Sequence, residues 1–263
     1  MREKIKEILV ERIKKLKRSP VLVIVQVGDR EDSNVYIRNK IKFGEEIGAK
    51  VILKNFKIER LNDYKKIEED LIKEIEKLNK DENIDGIIVQ LPLPENLDTE
   101  KIINTVLVEK DTDGLVSEKI VSATARGVMT LLEFYEIELK NKKVAVIGQG
   151  ILAGIPIAIE MEKKGAEVFR CDINTKNIPE IAKDCDILIS AVGKPGLITK
   201  EFINERQVVV DVGTSKMGDK LVGDINFEEV EPLVYAITPV PGGIGPLTVC
   251  SLFQNLLDLT NKV

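Results

Sequence analysis

The sequence predicts an α/β protein of two lobes, each built from parallel-type βα units. Aliphatic and β-branched runs alternate along the chain with longer segments whose apolar residues recur at helical spacing. The run Val21–Val27 is uncharged and bounded by turn residues, which is typical of a strand buried on both faces. A second such run near residue 145 ends in glycines and opens another βα series. Two lobes of this kind imply a cleft between them.

In the first lobe, the apolar spacing of Ile5, Ile8, Leu9, Ile13 and Leu16 predicts a packed amphipathic helix over residues 1–18. Asp32 or Ser33 can cap the next helix, which we expect to reach Ile47 and to end at Gly48. The remaining predicted elements are the strand Val21–Val27, a strand over 49–56, a helix over 62–79, a strand over 84–90, a short helix over 99–105 and a polar turn over 109–114.

In the second lobe, we predict helices over 124–135, 155–164, 178–183, 200–204 and 249–259. We predict one strand that ends near residue 147 and further strands over 166–172, 186–190, 207–211 and 234–237. Prolines and glycines at 238–248 predict a rigid loop before the last helix.

The glycine turn carries the clearest chemical signal in the chain. Gly148 permits a tight turn after a strand, and Gly150 lets backbone amides approach a pyrophosphate. A helical pattern follows, and the next strand ends in Asp172, at the roughly 20-residue separation typical of a dinucleotide site. Glycine turns after strands are common, but the strand, helix and acid together predict a Rossmann domain.

Composition excludes several classes of protein. A net charge of −5 and an aromatic content of 4% argue against nucleic-acid binding, which needs basic surfaces and aromatic side chains for stacking. We expect no signal peptide and no membrane span, and therefore a cytoplasmic protein. Cys171, Cys185 and Cys250 lack C-x-x-C spacing and predict small buried residues, with no disulfide and no metal site. Because the chain has no histidine, a general acid or base must be Lys, Tyr, Asp, Glu or Cys.

Tyr36 and Lys40 lie four residues apart on one predicted helix and so share a face. Taken alone, this pair is better explained as two surface residues. Gln90 ends a buried strand, at the edge where open α/β sheets place ligands, although it could also be a strand-end cap. Asp111 and Asp113 lie in a turn, where aspartate is often only a local acceptor.

Four blocks in matched order connect these residues. Residues 33–40 read SNVYIRNK, 85–94 read DGIIVQLPLP, 110–114 read KDTDG, and 239–248 read PVPGGIGPLT. Together they closely resemble the bifunctional methylenetetrahydrofolate dehydrogenase/methenyltetrahydrofolate cyclohydrolases over nearly the whole chain. The resemblance implies a folate-binding catalytic domain of residues 1–120 and 246–263, an NAD(P)-binding domain of residues 121–245, folate one-carbon derivatives as substrates, and a homodimer.

The resemblance also implies roles for single residues. Lys40 would transfer protons in the cyclohydrolase step, and Gln90 would orient it. Tyr36 would lie against the aminobenzoyl region of the folate, and Asp113 would hold the pterin. We expect Lys40 to be enclosed, in surroundings that disfavour its charge. The other implied substrate residues are Leu91, Pro92, Pro241, Gly242 and Gly243, and the implied cofactor residues are Gly148, Gln149, Gly150, Ile151, Asp172, Gly193, Thr214 and Thr248.

The cofactor prediction follows the habit of the family and is NADP, with NAD as the alternative. Some relatives have Arg-Ser where this chain has Gln149-Gly150, which removes partners for a 2′-phosphate. Asp172 at the strand end favours a ribose 2′-hydroxyl and hence NAD. The nearby residues that could still hold a phosphate are Arg170, Asn174, Thr175 and Lys176.

Three other functions remain open at this point. The segment after Asp113 is shorter than in typical relatives, so the chain could be a dehydrogenase with weak cyclohydrolase activity. A nucleotide-sensing protein without catalysis would leave Lys40 unexplained. A two-lobed dehydrogenase acting on a hydroxy acid or a shikimate-like substrate would leave the blocks at 85–94 and 239–248 unexplained.

Overall fold

The computed structural model of the 263-residue chain describes residues 1–58, 64–218 and 220–260. The chain divides into two compact units. The first unit is Met1–Ala123 together with Val249–Val263, and the second unit is Thr124–Thr248.

The first unit contains a parallel sheet and helices. Its strands are β1 (Val21–Val27), β2 (Lys50–Phe56) and β3 (Gly86–Val89), and its helices are α1 (Arg2–Lys14), α2 (Glu31–Ile47), α3 (Tyr64–Lys80) and α4 (Thr99–Ile103). The strands lie in the order β2-β1-β3. The core on one side of the sheet joins Val23 and Val25 of β1 to Leu71 and Ile75 of α3. Residues 62 and 63 of the predicted third helix lie outside the described residues.

Two details of the first unit differ from the sequence prediction. Helix α1 ends at Lys14, and Ile8, which we expected on its packed face, is exposed while Ile5, Leu9 and Ile13 are buried. Ile5, Leu9 and Ile13 lie at helical spacing, and these three residues alone cover the buried face of α1. Helix α2 begins at Glu31 after Arg30, so neither of the predicted caps precedes it. Its end is as predicted, because Gly48 adopts the left-handed conformation.

The second unit contains a parallel sheet and a small antiparallel hairpin. Its strands are β4 (Lys143–Ile147), β5 (Glu167–Cys171), β6 (Ile187–Ser190), β7 (Val208–Asp211), β8 (Ser215–Met217), β9 (Lys220–Val222) and β10 (Ala236–Ile237). Its helices are α5 (Ala123–Phe134), α6 (Gly154–Lys163), α7 (Ile178–Lys183), α8 (Phe227–Val230) and α9 (Ile244–Thr260), of which α5 and α9 cross the unit boundaries. The order in the parallel sheet is β10-β7-β6-β4-β5, and β8 and β9 form the hairpin.

The strand order of the second unit changes direction between β4 and β6. The chain passes from β4 to β5 on one side and then back to β6 on the other. Such a switch point is where doubly wound sheets bind ligands, at the carboxyl ends of the strands. The glycine turn at Gly148 follows β4 at this position.

Several elements of the second unit were wrong or missing in the prediction. The last helix begins at Ile244 rather than 249, since Pro246 lies in the first turn, where its missing N–H does no harm. The predicted helix over 200–204 is a single 3-10 turn, Lys200–Phe202. The strand predicted over 234–237 shortens to Ala236–Ile237. Neither the hairpin nor α8 was predicted.

The three cysteines are free, and all three are buried, as the sequence suggested. Burial raises the pKa of the Cys185 thiol to about 12 and that of Cys250 to about 11. Within the described part of the chain, none of the helices has the length and apolarity that crossing a membrane requires.

Candidate functional site

Lys40 lies in the buried stripe of α2. Ile37, Phe43 and Ile47 are buried on this helix, and Lys40 shares their helical spacing with only 7% of its surface exposed. The helix is held tightly at this level. A side chain at Gly44 would begin 2.4 Å from Val51 Cγ2, and the ring of Phe43 lies 5.5 Å from that of Phe253. The amine therefore reaches its position from a rigid element.

Gln90 is the hydrogen-bond partner of that amine. Lys40 Nζ donates to Gln90 Oε1 at 3.0 Å, and Gln90 Nε2 donates to the carbonyl of Leu91 at 2.8 Å. The backbone N–H of Gln90 donates to the carbonyl of Val25 at 2.8 Å, which fixes the residue just beyond the end of β3. An ammonium group only donates, so the amide oxygen must face it, and the amide is locked at both ends.

Two aspartates lie in the polar turn beside β3. Burial raises the pKa of the Asp113 carboxyl, while the nearby charge of Lys40 lowers it. Asp111 is almost fully buried and accepts backbone N–H bonds from Gly114 (3.0 Å) and Val116 (2.7 Å). Burial raises the Asp111 pKa to about 6, and these bonds oppose the shift. The turn thus places one carboxyl within electrostatic reach of Lys40 and uses the other to hold its own backbone.

Tyr36 and the Leu-Pro segment complete the predicted residues of the first unit. Tyr36 is half-buried, one helical turn before Lys40. Leu91 is buried, whereas Pro92 is exposed after a cis Leu91–Pro92 peptide bond. Tyr36, Lys40, Gln90, Leu91 and Asp113 therefore belong to one unit, with a direct contact between Lys40 and Gln90.

The glycine turn of the second unit has the geometry that the motif predicts. Gly148 has a φ of +93°, and a side chain there would begin 2.4 Å from the carbonyl oxygen of Ala191. Gly154, which the prediction did not include, opens α6. Its Cβ would lie 1.7 Å from the carbonyl oxygen of Gly148, so only glycine lets the helix start this close to the turn.

The residues between these two glycines differ in orientation. A side chain at Gly150 would meet no described atom within 4 Å, which leaves its backbone open to a ligand. Ile151 is half-exposed. Gln149 Nε2 donates to the carbonyls of Val146 and Gly148, at 3.0 and 3.2 Å, so this amide group is turned into the loop.

Asp172 follows β5 and caps its own turn. Its carboxylate accepts from the backbone N–H of Asn174 at 2.9 Å and from Thr175 Oγ1 at 3.1 Å, and these bonds lower its pKa. Arg170 is engaged elsewhere, through two hydrogen bonds of 3.0 and 2.9 Å to Glu162. The edge at the end of β5 therefore presents a charged carboxylate, and Arg170 is already paired with Glu162.

The other predicted cofactor residues occupy three separate segments. Gly193, with a φ of +74°, lies after β6 and accepts at its carbonyl a hydrogen bond from Ser215 Oγ at 3.2 Å. Thr214 is half-buried after β7. Thr248 lies in the first turns of α9, where its Oγ1 donates to the carbonyl of Ile244 at 3.3 Å.

The Pro-Gly-Gly segment before α9 is tightly constrained. The Val240–Pro241 peptide bond is cis, Gly242 has a φ of +107°, and a side chain at Gly243 would begin 2.6 Å from the carbonyl oxygen of Pro239. Gly242 and Gly243 border a cavity of about 760 Å³ whose other walls come from α5 and the β7 and β10 edge of the sheet. Neither Lys40 nor the glycine turn lines this cavity.

Comparison with known proteins gives the family. The model of the tetrahydrofolate dehydrogenase/cyclohydrolase catalytic domain matches residues 1–113, and the model of the NAD(P)-binding domain of the same family matches residues 122–263. The chain belongs to the tetrahydrofolate dehydrogenase/cyclohydrolase family. The resemblance read from the four sequence blocks is confirmed.

Relatives and solved structures agree with this assignment. The bifunctional protein FolD of Hydrogenobaculum sp. is 40% identical over 268 residues, which span 97% of this chain and 94% of that protein. The bifunctional FolD enzyme of Campylobacter jejuni has a TM-score of 0.91 at 33% identity and covers 100% of this chain and 96% of its own. The Trypanosoma brucei enzyme, solved with NADP and an inhibitor, has a TM-score of 0.90 at 32% identity, with coverages of 99% and 95%.

Family membership confirms the predicted α/β fold and the NAD(P)-binding domain of an enzyme. The structure adds one residue that sequence reasoning did not place at the site. Asp111 is the local acceptor that its place in the turn predicted, whereas Gly154 was passed over. Its signal was available, because Gly154 is the third glycine of the turn, at the start of the helix.

Proposed function

We propose that the chain oxidises 5,10-methylenetetrahydrofolate to 5,10-methenyltetrahydrofolate with NAD(P) and hydrolyses the product to 10-formyltetrahydrofolate. Both domains of the family are present in order, over nearly the full length of the relatives. The observation that carries the hydrolytic half is the buried amine of Lys40 held by Gln90.

Hydrolysis of the methenyl group needs a group that moves protons. Adding water to the methenyl carbon releases protons, and breaking the bond to N5 returns one to that nitrogen. In our proposal Lys40 Nζ takes up and gives back the proton, and the Gln90 amide, fixed by the Leu91 carbonyl, keeps the amine pointed at the reacting carbon. With no histidine in the chain, lysine is the base best suited to the task.

The remaining predicted residues of the first unit would bind folate. Asp113 would accept the amino and ring N–H groups of the pterin, and Tyr36 would lie against the aminobenzoyl region, with Leu91 and Pro92 beside it. By the family resemblance, Pro241, Gly242 and Gly243 would also shape the folate site. Support for Asp113 comes from its electrostatic coupling to Lys40.

The second unit fits a dinucleotide. The turn at Gly148 leads to the N-terminus of α6, whose N–H groups and dipole favour a pyrophosphate, and the backbone at Gly150 is open. Gly148, Gln149, Gly150 and Ile151 would hold the phosphates, and Asp172 the adenosine ribose. Gly193, Thr214 and Thr248 would line the nicotinamide end. The bound dinucleotide supplies the hydride acceptor, so the protein itself needs only to orient the two rings.

NADP remains the proposed cofactor and NAD the alternative. The NADP-bound relative supports NADP. The charged carboxylate of Asp172 and the pairing of Arg170 with Glu162 support NAD. Measured kcat/KM for both nucleotides decides between them.

A homodimer and a cytoplasmic location are further proposals, of which the homodimer rests on the family resemblance. Light scattering of the purified protein would give about twice the 29.4 kDa mass of the chain for a dimer. A monomer at all concentrations tested would contradict the first of these proposals.

One pair of assays tests the proposed function. The purified protein is mixed with methylenetetrahydrofolate and either oxidised nucleotide, and absorbance reports the reduced nucleotide and the methenyl product. Methenyltetrahydrofolate alone is then followed as it is hydrolysed. We expect turnover in both assays. Turnover in the first only would make the chain a dehydrogenase alone, and turnover in neither would contradict the proposal.

A further inference from the structure

Two carboxylates with no assigned role in the reaction are buried in the second unit. Asp211 is the last residue of β7 and is 3% exposed, and Asp224 follows the β8-β9 hairpin and is fully buried. Carboxylates are rarely buried so deeply unless hydrogen bonds satisfy them. The hydrogen-bond donors around Asp211 and Asp224 show which segments of the chain each carboxylate holds.

Asp224 binds the chain where it leaves β6. One carboxylate oxygen accepts from Ser190 Oγ at 2.9 Å and from the backbone N–H of Val192 at 2.7 Å. The other oxygen accepts from the backbone N–H of Lys194 at 2.8 Å. Three donors within five residues therefore converge on one side chain. The loop Val192-Gly193-Lys194 takes its shape from this carboxylate.

Asp211 in turn holds Asp224 and the loop after β7. It accepts from the backbone N–H groups of Gly213, Asp224 and Ile225, at 3.0, 3.1 and 3.0 Å. The residue thereby joins its own loop, which leads to Thr214, to the segment that carries Asp224. All six of these hydrogen bonds lie within one unit.

Two glycines make room for the pair. A side chain at Gly213 would begin 2.1 Å from Asp224 Oδ1, and one at Gly223 would begin 1.9 Å from Asp211 Oδ2. Each loop therefore passes directly against the carboxylate contributed by the other. Such close approach on both sides leaves no space for the loops to shift independently.

The loop that Asp224 holds borders the glycine turn. The N–H of Ala191 donates to the carbonyl of Ile147 at 2.8 Å, and Gly148 approaches Ala191 too closely for any side chain. Ser215 Oγ also donates to the carbonyl of Gly193. The segments after β4, β6 and β7 thus form one connected edge, at the switch point of the sheet.

We propose that Asp224 is a positioning residue for the dinucleotide: it fixes the Val192-Gly193-Lys194 loop in the form that meets the nicotinamide half, and Asp211 holds it in place. The proposal rests on the function given above. It assigns this edge of the sheet a preformed shape that does not depend on the ligand. A dinucleotide then binds without first ordering the loop.

The substitution Asp224→Asn tests the proposal. An amide nitrogen replaces one acceptor oxygen, so either Lys194 or the Ser190 and Val192 pair faces a donor instead of an acceptor. We expect the KM and Kd for the dinucleotide to rise about tenfold or more, with kcat changing less than threefold. Hydrolysis of methenyltetrahydrofolate, measured without any dinucleotide, stays within about twofold of the wild type.

Gln207→Leu is the matched structural control. Gln207 is fully buried at the opposite end of β7, where its Nε2 donates to the carbonyls of Ala182 and Cys185 at 2.6 and 3.1 Å. This variant should lower the melting temperature of the protein and leave the dinucleotide Kd unchanged. If it raises the Kd as much as Asp224→Asn does, or if Asp224→Asn leaves the Kd unchanged, the positioning role is refuted.

Ser190→Ala serves if Asp224→Asn does not fold. It removes one donor and leaves both backbone N–H groups paired, so we expect a rise of about two- to fivefold in the dinucleotide Kd, and an unchanged Kd contradicts the proposal. Calorimetric titration with NAD and NADP measures this change in the dinucleotide Kd and needs no turnover. If the wild-type protein binds a nucleotide tightly but turns over neither folate, the proposed function is refuted. The role of Asp224 is then still decided by the Kd values of the variants.

Discussion

Lys40 occupies a position on α2 where the helical repeat calls for an apolar residue. Ile37, Phe43 and Ile47 mark the buried stripe, and an amine within that stripe costs free energy unless it is paired. The cost is met in part by Gln90. A polar residue that interrupts the apolar pattern of its own helix favours a functional role, and this observation supports the role that we propose for Lys40.

Asp113→Ala tests the pterin assignment at the scale of one residue. Removing the carboxylate leaves donor groups of the ligand unpaired, which typically costs about 1–3 kcal/mol. We therefore expect tetrahydrofolate, titrated by calorimetry, to bind about tenfold more weakly or worse, with dinucleotide affinity unchanged. Glu95→Ala, which removes an exposed carboxylate of the same unit, is the control. Unchanged folate affinity in Asp113→Ala would show that the assignment is wrong.

Asp172→Ser tests what sets the cofactor preference. This carboxylate is charged at neutral pH, since its pKa lies below the ordinary value of 3.8, and a like charge disfavours a 2′-phosphate. We expect the ratio of kcat/KM for NADP to that for NAD to rise about tenfold. Asp184→Ser removes an exposed carboxylate paired with Lys143 and should leave the ratio unchanged. A fall in the ratio with Asp172→Ser would contradict this account.

Sequence reasoning reached most of the candidate residues but not their surroundings. The pairing of Tyr36 with Lys40 followed from helical spacing, and Gln90 from its place at a strand end. Asp224 gave no such signal, because its donors at Ser190, Val192 and Lys194 are 30 to 34 residues away in the chain. Contacts between loops of different βα units depend on the folded sheet, and no local pattern encodes them.

At the scale of elements, α2 and α9 each contain a glycine, and the two glycines have different roles. A side chain at Gly44 would begin 2.4 Å from Val51 and 3.0 Å from Phe253, whereas one at Gly245 would meet no described atom within 4 Å. Gly44 therefore serves the close packing of α2. For Gly245, the structure gives no packing reason for a glycine.

The substitutions Gly44→Ala and Gly245→Ala should have different effects on the free energy of unfolding. Alanine favours a helix over glycine by up to about 1 kcal/mol, but overpacking typically costs about 1–3 kcal/mol. We expect Gly44→Ala to lower the free energy of unfolding and Gly245→Ala to leave it unchanged or raise it slightly, as measured by urea denaturation. Equal effects of the two substitutions would mean that the packing around α2 is not the cause.

The elements that the sequence predicted well are those with strong local signals. Strand β1 and helix α7 have the predicted bounds, and Gly48 ends α2. The start of α9 was missed because its first turn contains Gly245 and Pro246, which indicate a loop when read alone. The hairpin β8-β9 was missed because its strands are three residues each, too short for an alternating pattern.

At the scale of the whole molecule, each unit buries a carboxyl group with a strongly raised pKa. Burial sets the pKa of Asp111 in the first unit and of Asp211 in the second to about 6, from an ordinary value of 3.8. In both cases several backbone N–H groups oppose the shift. The folded state therefore holds these two protons more tightly than the unfolded chain does, and raising the pH from about 4 to about 6 weakens folding through both groups.

Asp211→Asn isolates this effect in the second unit. A pKa raised by about two units corresponds to roughly 3 kcal/mol. We expect the wild-type free energy of unfolding to fall relative to that of the variant, by roughly 3 kcal/mol between pH 4 and pH 7. Asp111→Asn should show the same trend for the first unit. Denaturation at a series of pH values measures it. A difference that is flat or rises with pH would contradict the assignment of the raised pKa.

The most direct test of the whole account compares Lys40→Met with Lys42→Met in the hydrolysis of methenyltetrahydrofolate. Both substitutions remove an amine from α2, but Lys42 is exposed. We predict that Lys40→Met lowers the hydrolysis rate at least about a hundredfold with dinucleotide affinity unchanged, and that Lys42→Met stays within about twofold of the wild type. Hydrolysis at the wild-type rate by Lys40→Met would contradict the central claim.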